Sequence, residues 1–298
     1  MLGIVIVNYN SYQNTFNCVQ SLFDYPVNYE HKIYIVDNGS SNNSFDMLWN
    51  RYRDNHDVTL IKVNESKGYS AGLNRGIEQA LKDGCGYFLL CNNDLIFPSG
   101  TIDNMIIANQ TEPKLGVVGT LIIGTDNGEQ KSYKHRMTYY SHLFSKKPFA
   151  YFYRFPQNTI SREKYYFDGM VSGCCFLLSK LTISKIGLLD ENIFLFYEED
   201  AIAHKLYKAE LQALLLTDQK IIHFGSITIG TQGTTYYLNR YKSSMYVLKK
   251  YCEINNFQLS VLFLLNYFSL LLKCIKNNEY QKACKELLNY YIELCRGT

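Results

Sequence analysis

Leu2-Gly3-Ile4-Val5-Ile6-Val7-Asn8-Tyr9-Asn10 reads as a buried strand ending in a polar turn. Behind it, Tyr12, Phe16, Val19, Leu22 and Phe23 recur at helical spacing. The pairing then repeats. Lys32–Val36, Val58–Val63 and Tyr87–Cys91 are short β-branched or aromatic runs, and Leu73, Ile77, Ala80 and Leu81 share one helical face. Such alternation predicts an α/β fold with a mostly parallel sheet covered by helices on both faces. Right-handed crossovers gather the loops after the strands along one edge, where open α/β sheets bind ligands.

Farther on, residues 125–167 lose the rhythm. Twelve Tyr or Phe follow Ser132 there, among many Lys, Arg and His, and the segment is expected to be an insertion over the active face. Regularity returns with a strand at Val171–Ser179, a helix at Leu181–Ile186 stopped by Gly187, and a helix over Glu199–Ala209. Strands at Ala213–Leu216 and Lys220–Phe224 follow, and from Tyr237 the pattern is helical. The predicted organisation is a main domain over 1–235 and a C-terminal helical region over 236–298.

Composition narrows the function. The 298 residues are 47% hydrophobic, which excludes disorder as the main state. A net charge of +3 is too balanced for a general nucleic-acid binder. Residues 236–298 carry nine Lys or Arg against four Glu, while the first 235 hold 21 basic and 23 acidic side chains. That asymmetry points to an anionic surface near the C-terminal region. Nine cysteines without a CxxC pair fit buried thiols in a reducing compartment. No basic n-region precedes the first apolar run, and no run reaches 18 apolar residues. The expectation is a cytoplasmic protein.

The polar clusters fall where the predicted sheet edge lies. Asp37, at the end of Val36-Asp37-Asn38-Gly39-Ser40, suits a base imide or ribose hydroxyl, though such a residue also caps turns. Gly68-Tyr69-Ser70-Ala71-Gly72-Leu73-Asn74-Arg75-Gly76 opens a helix with small residues and nearby cations, which favours an anion or simply makes a tight loop. It is not GxGxxG after the first strand, so a nicotinamide dinucleotide site is disfavoured. Asn92-Asn93-Asp94 offers hard oxygen ligands suited to Mg²⁺ or Mn²⁺ with bound phosphates. Glu198-Glu199-Asp200 is costly to bury unless used or paired, and its crowding suits a general base. As a helix start it is equally a solvated acidic cap. His223 ends an apolar strand, where a lone His is usually structural.

Taken in order, these motifs resemble glycosyltransferase family 2 and its rhamnosyltransferase-like members. The resemblance also runs through Asn8-Tyr9-Asn10, Ser172-Gly173-Cys174-Cys175, Gly187-Leu188-Leu189-Asp190-Glu191, His223-Phe224-Gly225-Ser226 and Tyr236-Tyr237-Leu238-Asn239-Arg240. It covers about residues 1–124 and 168–250. It implies a GT-A fold, a Rossmann-type mostly parallel sheet flanked by helices with a C-terminal helical extension. It implies an inverting transfer from a UDP- or dTDP-sugar, dTDP-rhamnose among them, to a hydroxyl of a surface glycan such as O-antigen or capsule. Asn8, Asp37, Asn38, Gly68, Asn74, Arg75, Asn92, Asn93 and Arg240 would bind the donor. Asp94 and His223 would hold Mn²⁺ or Mg²⁺, and Glu199 or its neighbour Asp200 would be the base. Three departures stand out: Asn92 where Asp is common, Ala201 and Lys205 in place of the usual Asp and Arg, and Ser66 where many relatives have Asn. They motivate a competing reading, a nucleotide-sugar-binding pseudoenzyme of the same fold. A sugar nucleotidyltransferase would need a Gly-rich basic loop after strand one, which is not there.

Phe257–Leu272 is largely apolar and, at 16 residues, short for a span. With Lys273 and Lys276, the segment 257–276 could lie at the inner membrane face as a peripheral contact, useful for a lipid-linked acceptor. The alternative is a helix buried on the main domain or on a second copy of the chain, as in a homodimer.

Overall fold

The computed structural model describes residues 1–146, 163–225, 233–275 and 277–296. Ser226, Lys276 and the aromatics of 147–162 lie outside them. β1 (Leu2–Asn8), β2 (His31–Asn38), β3 (Val58–Val63) and β4 (Tyr87–Asn92) form a parallel half-sheet in the order β3-β2-β1-β4. α1 (Tyr12–Asp24), α2 (Ser44–Tyr52) and α3 (Tyr69–Lys82) are its crossovers. β5 (Leu95–Ile96), α4 (Thr101–Thr111) and β6 (Leu115–Gly124) follow. The excursion holds β7 (Glu129–Gln130), β8 (Tyr133–His135), α5 (Tyr139–Phe144) and β9 (Lys164–Phe167). Then come β10 (Gly169–Val171), β11 (Cys175–Ser179), α6 (Lys180–Ile186), α7 (Glu198–Lys208) and β12 (Gln212–His223). α8 (Thr234–Tyr251), α9 (Asn256–Cys274) and α10 (Tyr280–Arg296) close the described chain.

The main sheet continues from β4 through β11, β6 and β12 to β5, with β11 antiparallel to both neighbours and β12 parallel to β6. Side chains alternate across it. Ile4, Ile6, Ile33, Ile35 and Leu89 face α1, α2 and α4, whereas Val5, Val7, Val36, Phe88 and Leu90 face α3, α6 and α7. Both faces are therefore dry, as the unbroken apolar strands predict.

Two sequence expectations need correction. Val171–Ser179 is not one strand. β10 pairs with β8 in a separate two-stranded sheet and β11 pairs with β4, so the chain breaks at Ser172-Gly173-Cys174 between them. Conversely, Ala213–Leu216 and Lys220–Phe224 belong to one long strand, β12, whose register on β6 shifts between Leu216 and Lys220. An irregularity of this kind interrupts the hydrophobic alternation without ending the strand.

α8, α9 and α10 build a third apolar cluster that also takes in Met137, Ile193 and Ala201 from the α/β body. α9 buries Leu259, Leu262, Phe263, Asn266 and Leu270, yet Phe257, Leu264, Phe268, Leu272 and Ile275 are exposed. It is longer than the apolar run suggests, at 19 residues. Among the described residues it is the one helix long and apolar enough to cross a membrane, with 28% of its most apolar window buried.

Close packing of α3 on β1 depends on Gly76, where a Cβ would overlap the Val5 side chain. Gly76→Val should therefore destabilise the fold by about 3 kcal/mol in urea unfolding. Gly86→Ala should stay within about 0.5 kcal/mol, because nothing lies within 4 Å of a Cβ there. Equal effects would contradict this packing.

Candidate active site

The parallel register sets Asn8 beside Asp37 and Val7 beside Asn92 at the carboxyl edge. Asn8 Nδ2 donates to Asp37 Oδ2 at 2.7 Å, and Ser40 donates to both Asp37 oxygens through its backbone N and its Oγ. Asn38 Nδ2 donates to the Gly68 carbonyl, while its buried Oδ1 has no partner. Asn38, Asn64, Glu65, Lys67 and Arg75 line a cleft of about 340 Å³. Arg75 is tied to Glu78 at 2.7 Å and to Glu191 at 3.3 Å.

Not every expected donor residue turns toward this cleft. Asn74 is buried, donates to the Leu189 carbonyl and Glu191, and accepts from the Leu189 N–H. It braces α3 against the 189–191 turn. Asn93 is likewise buried, donating to Thr15 Oγ1 and the Ser11 carbonyl at the start of α1. Gly68 has φ +105, and a side chain there would collide with the Phe194 backbone, whose carbonyl accepts from the Tyr69 N–H. These three residues shape the edge from behind.

Asp94 and His223 meet at that edge. β12 pairs with β5, so His223 stands opposite Leu95, and Phe224 N–H donates to the Asp94 carbonyl. His223 Nδ1 is 2.7 Å from Gln130 Oε1. Nε2 lies 3.3 Å from Asp94 Oδ1, both residues are buried, and neither atom has a hydrogen-bond partner. A buried carboxylate oxygen and an imidazole nitrogen side by side form a donor pair suited to Mn²⁺. Among the described residues no group of three His, Cys, Asp or Glu gathers for a metal. Further ligands would have to come from a bound diphosphate. Asn92 is engaged elsewhere, its Oδ1 accepting from the Tyr69 hydroxyl at 2.8 Å.

The acid cluster opens α7. Phe196 and Tyr197 both adopt left-handed backbone, at φ +70 and +69, and aim the helix start inward. Burial, reinforced by the charge of Glu199, pushes Glu198 up to about 8, so it is largely protonated near neutrality. Burial works on Glu199 too, but Lys134 and backbone amides outweigh it and hold Glu199 below the usual carboxylate range. Burial raises Asp200, with Lys134 opposing. Lys134 Nζ donates to Asp200 at 2.7 Å and to Glu199 at 3.3 Å. Side-chain exposure separates the two, at 28% for Glu199 and 6% for Asp200. Glu199 lies against Gly173, whose carbonyl is 3.4 Å from the Tyr69 hydroxyl. A contact path thus joins the base candidates to Asn92. The Cys174 thiol feels both Asp94 and Glu199.

Arg240, on α8, accompanies Tyr197 and donates to Tyr236 at 3.1 Å. Sequence reasoning missed Lys134, Gln130 and Tyr69. The first two sit in the expected insertion, Gln130 beside His223 and Lys134 beside Glu199 and Asp200. Its isolated Lys residues amid aromatics were the available signal.

A family model described as Glycosyl transferase family 2 matches residues 3–187. The chain is 22% identical over 226 residues to N-acetylglucosaminyl-diphospho-decaprenol L-rhamnosyltransferase of Mycobacterium tuberculosis, covering 71% of this chain and 72% of that protein. It is 33% identical over 91 residues to poly-beta-1,6-N-acetyl-D-glucosamine synthase of Staphylococcus aureus, covering 30% of this chain and 21% of that one. Among solved structures, GalNAc-T7 with UDP, GalNAc and Mn²⁺ superposes with a TM-score of 0.61 at 14% identity, over 83% of this chain and 47% of its own. That likeness gives the fold, GT-A.

Lys134→Met removes the cation that keeps Glu199 ionised, so the Glu199 titration should move upward. Carboxyl-carbon NMR across pH 3–8, on the order of the range where carboxylates titrate, reads this directly. An unmoved midpoint would contradict the electrostatic role given to Lys134.

Proposed function

The chain belongs to glycosyl transferase family 2, and from that premise we propose an inverting, metal-assisted transfer from a UDP- or dTDP-sugar to a hydroxyl of a lipid-linked surface glycan. The observation that carries this reading is the buried pairing of Asp94 Oδ1 with His223 Nε2 at 3.3 Å, beside a Cys174 thiol that feels both Asp94 and the ionised, partly buried Glu199. Residues 1–235 form the catalytic domain in this proposal, and 236–298 serve the acceptor side.

Asp94 and His223 would hold Mn²⁺ or Mg²⁺ together with diphosphate oxygens. When bound, the cation neutralises charge on the leaving diphosphate. Asn38, Lys67 and Arg75 border the cleft offered to the nucleoside, and Asp37 stiffens its floor through Asn8 and Ser40. Glu199 accepts the proton of the acceptor hydroxyl as that oxygen attacks the anomeric carbon and the bond to the diphosphate breaks. One displacement inverts the centre. Lys134 keeps Glu199 ionised, and Asp200 anchors Lys134.

The departures in α7 fall away from this chemistry. Ala201 packs in the α8–α10 cluster, and Lys205 donates to the Leu188 carbonyl at 2.6 Å. Support for a lipid-linked glycan comes from the name of the mycobacterial relative. Nine free cysteines and the exposed apolar side of α9 fit a cytoplasmic enzyme resting on the inner membrane face.

A panel of nucleotide sugars with Mn²⁺ tests the reading through nucleotide release. Glu199→Gln should lower turnover by about 10³-fold and leave nucleotide binding intact. If Asp200→Asn does this and Glu199→Gln does not, Asp200 is the base. Asp94→Asn should abolish the Mn²⁺-dependent part of nucleotide-induced thermal stabilisation. Binding without turnover that ignores both acid substitutions would mark a pseudoenzyme.

A further inference from the structure

Lys146, just beyond α5, donates to Asn266 Oδ1 on α9 at 2.8 Å and lies 5.4 Å from the centre of the Tyr241 ring. Burial and the charge of Arg240 pull its ammonium down to about 8. Lys273 stands 3.9 Å over the Tyr237 ring, and the Tyr241 phenol feels both Lys273 and Arg240. Three cations therefore converge around Tyr241. The ion pairs nearest on these helices use Lys208, Lys242 and Lys250 instead. Among the described residues none of Lys146, Arg240 and Lys273 forms an ion pair with an Asp or Glu. Residues 147–162 and 226–232 contain no Asp or Glu in their sequence.

The same place holds unused polar atoms. Asn266, 1% exposed, leaves Nδ2 without a partner. His142, 6% exposed, leaves Nε2 without one, and burial with Lys146 and Arg240 holds the ring neutral down to about 3. Partly buried positive charge with no counter-charge is unfavourable unless a ligand completes it. Convergence on one point, rather than spread over an exposed face, favours a compact polyanion over a membrane surface.

We propose that Lys146, Arg240 and Lys273 form an anion subsite, separate from the Asp94–His223 centre, that takes the diphosphate of a lipid-linked acceptor. Neither Asp94 nor His223 is among the charges that bear on Lys146. Arg240 also adjoins Tyr197, which immediately precedes the acid cluster. α9 supplies the rest: it turns Asn266 and Ser269 toward Lys146 and Tyr241, and bears exposed Leu264, Phe268 and Leu272 for a hydrocarbon chain. The inference rests on the transferase reading and moves Arg240 from the donor's diphosphate to the acceptor's.

The test is calorimetric titration of the full chain in EDTA with inorganic pyrophosphate and with geranylgeranyl diphosphate. Both should bind once per chain, the lipid more tightly. Lys146→Met and Lys273→Met should each weaken both by about tenfold, while Asp94→Asn leaves them unchanged. Lys146→Arg, which keeps the charge, should retain most of the affinity. If Lys146→Met does not fold, Lys273→Met carries the same comparison. Binding lost in Asp94→Asn but kept in the lysine variants belongs to the donor centre and overturns the proposal. So does the absence of diphosphate binding when vesicles of phosphatidylcholine with about one fifth phosphatidylglycerol bind in a Lys146-dependent way. Either result leaves the Glu199→Gln experiment on turnover untouched.

Discussion

Register between β1 and its two neighbours fixes everything on the active edge. Asn8 faces Asp37 on one side, and Val7 faces Asn92 on the other. A slip of one residue would turn Asp37 into the apolar layer and expose Val36, so the buried faces lock the pairing. The polar ends of three strands are thus held side by side by their apolar middles. Asn8 then converts that proximity into bonds, donating to Asp37 and accepting from Thr15 at 2.9 Å.

On the opposite half of the sheet, charge is organised by one ammonium. Three adjacent carboxyls at the start of α7 could not all ionise in a buried setting. Glu198 is largely neutral, and Lys134 takes up Glu199 and Asp200. Burial would lower the lysine, but the two carboxylates more than restore it. Lys134 comes from β8, so the excursion after β6 supplies the charge that pairs with the start of α7.

Much of this was legible before any coordinates. β1 to β4 lie within two residues of their expected bounds at either end, and for β1, β2 and β4 the reason is that a strand dry on both faces is a nearly continuous apolar run. Gly187 does end α6, with φ +72. Asp94 meets His223 at 3.3 Å, and the Cys174 thiol feels both Asp94 and Glu199. Pairing partners were not legible: whether Val171–Ser179 is one strand depends on which neighbours it finds, and that is a tertiary fact. Nor could spacing separate Asn74 and Asn93, which serve backbone groups inside the protein, from amides that face a ligand. Lys134 lay 65 residues from Glu199, beyond the reach of any local pattern.

The paired left-handed residues Phe196 and Tyr197 have a cost of their own. Each stores about 1–3 kcal/mol that glycine would release. A chain selected only for durability would place glycine there and lose the fixed entry into α7. Two bulky aromatics there set thermal robustness against the fixed direction of the carboxylates.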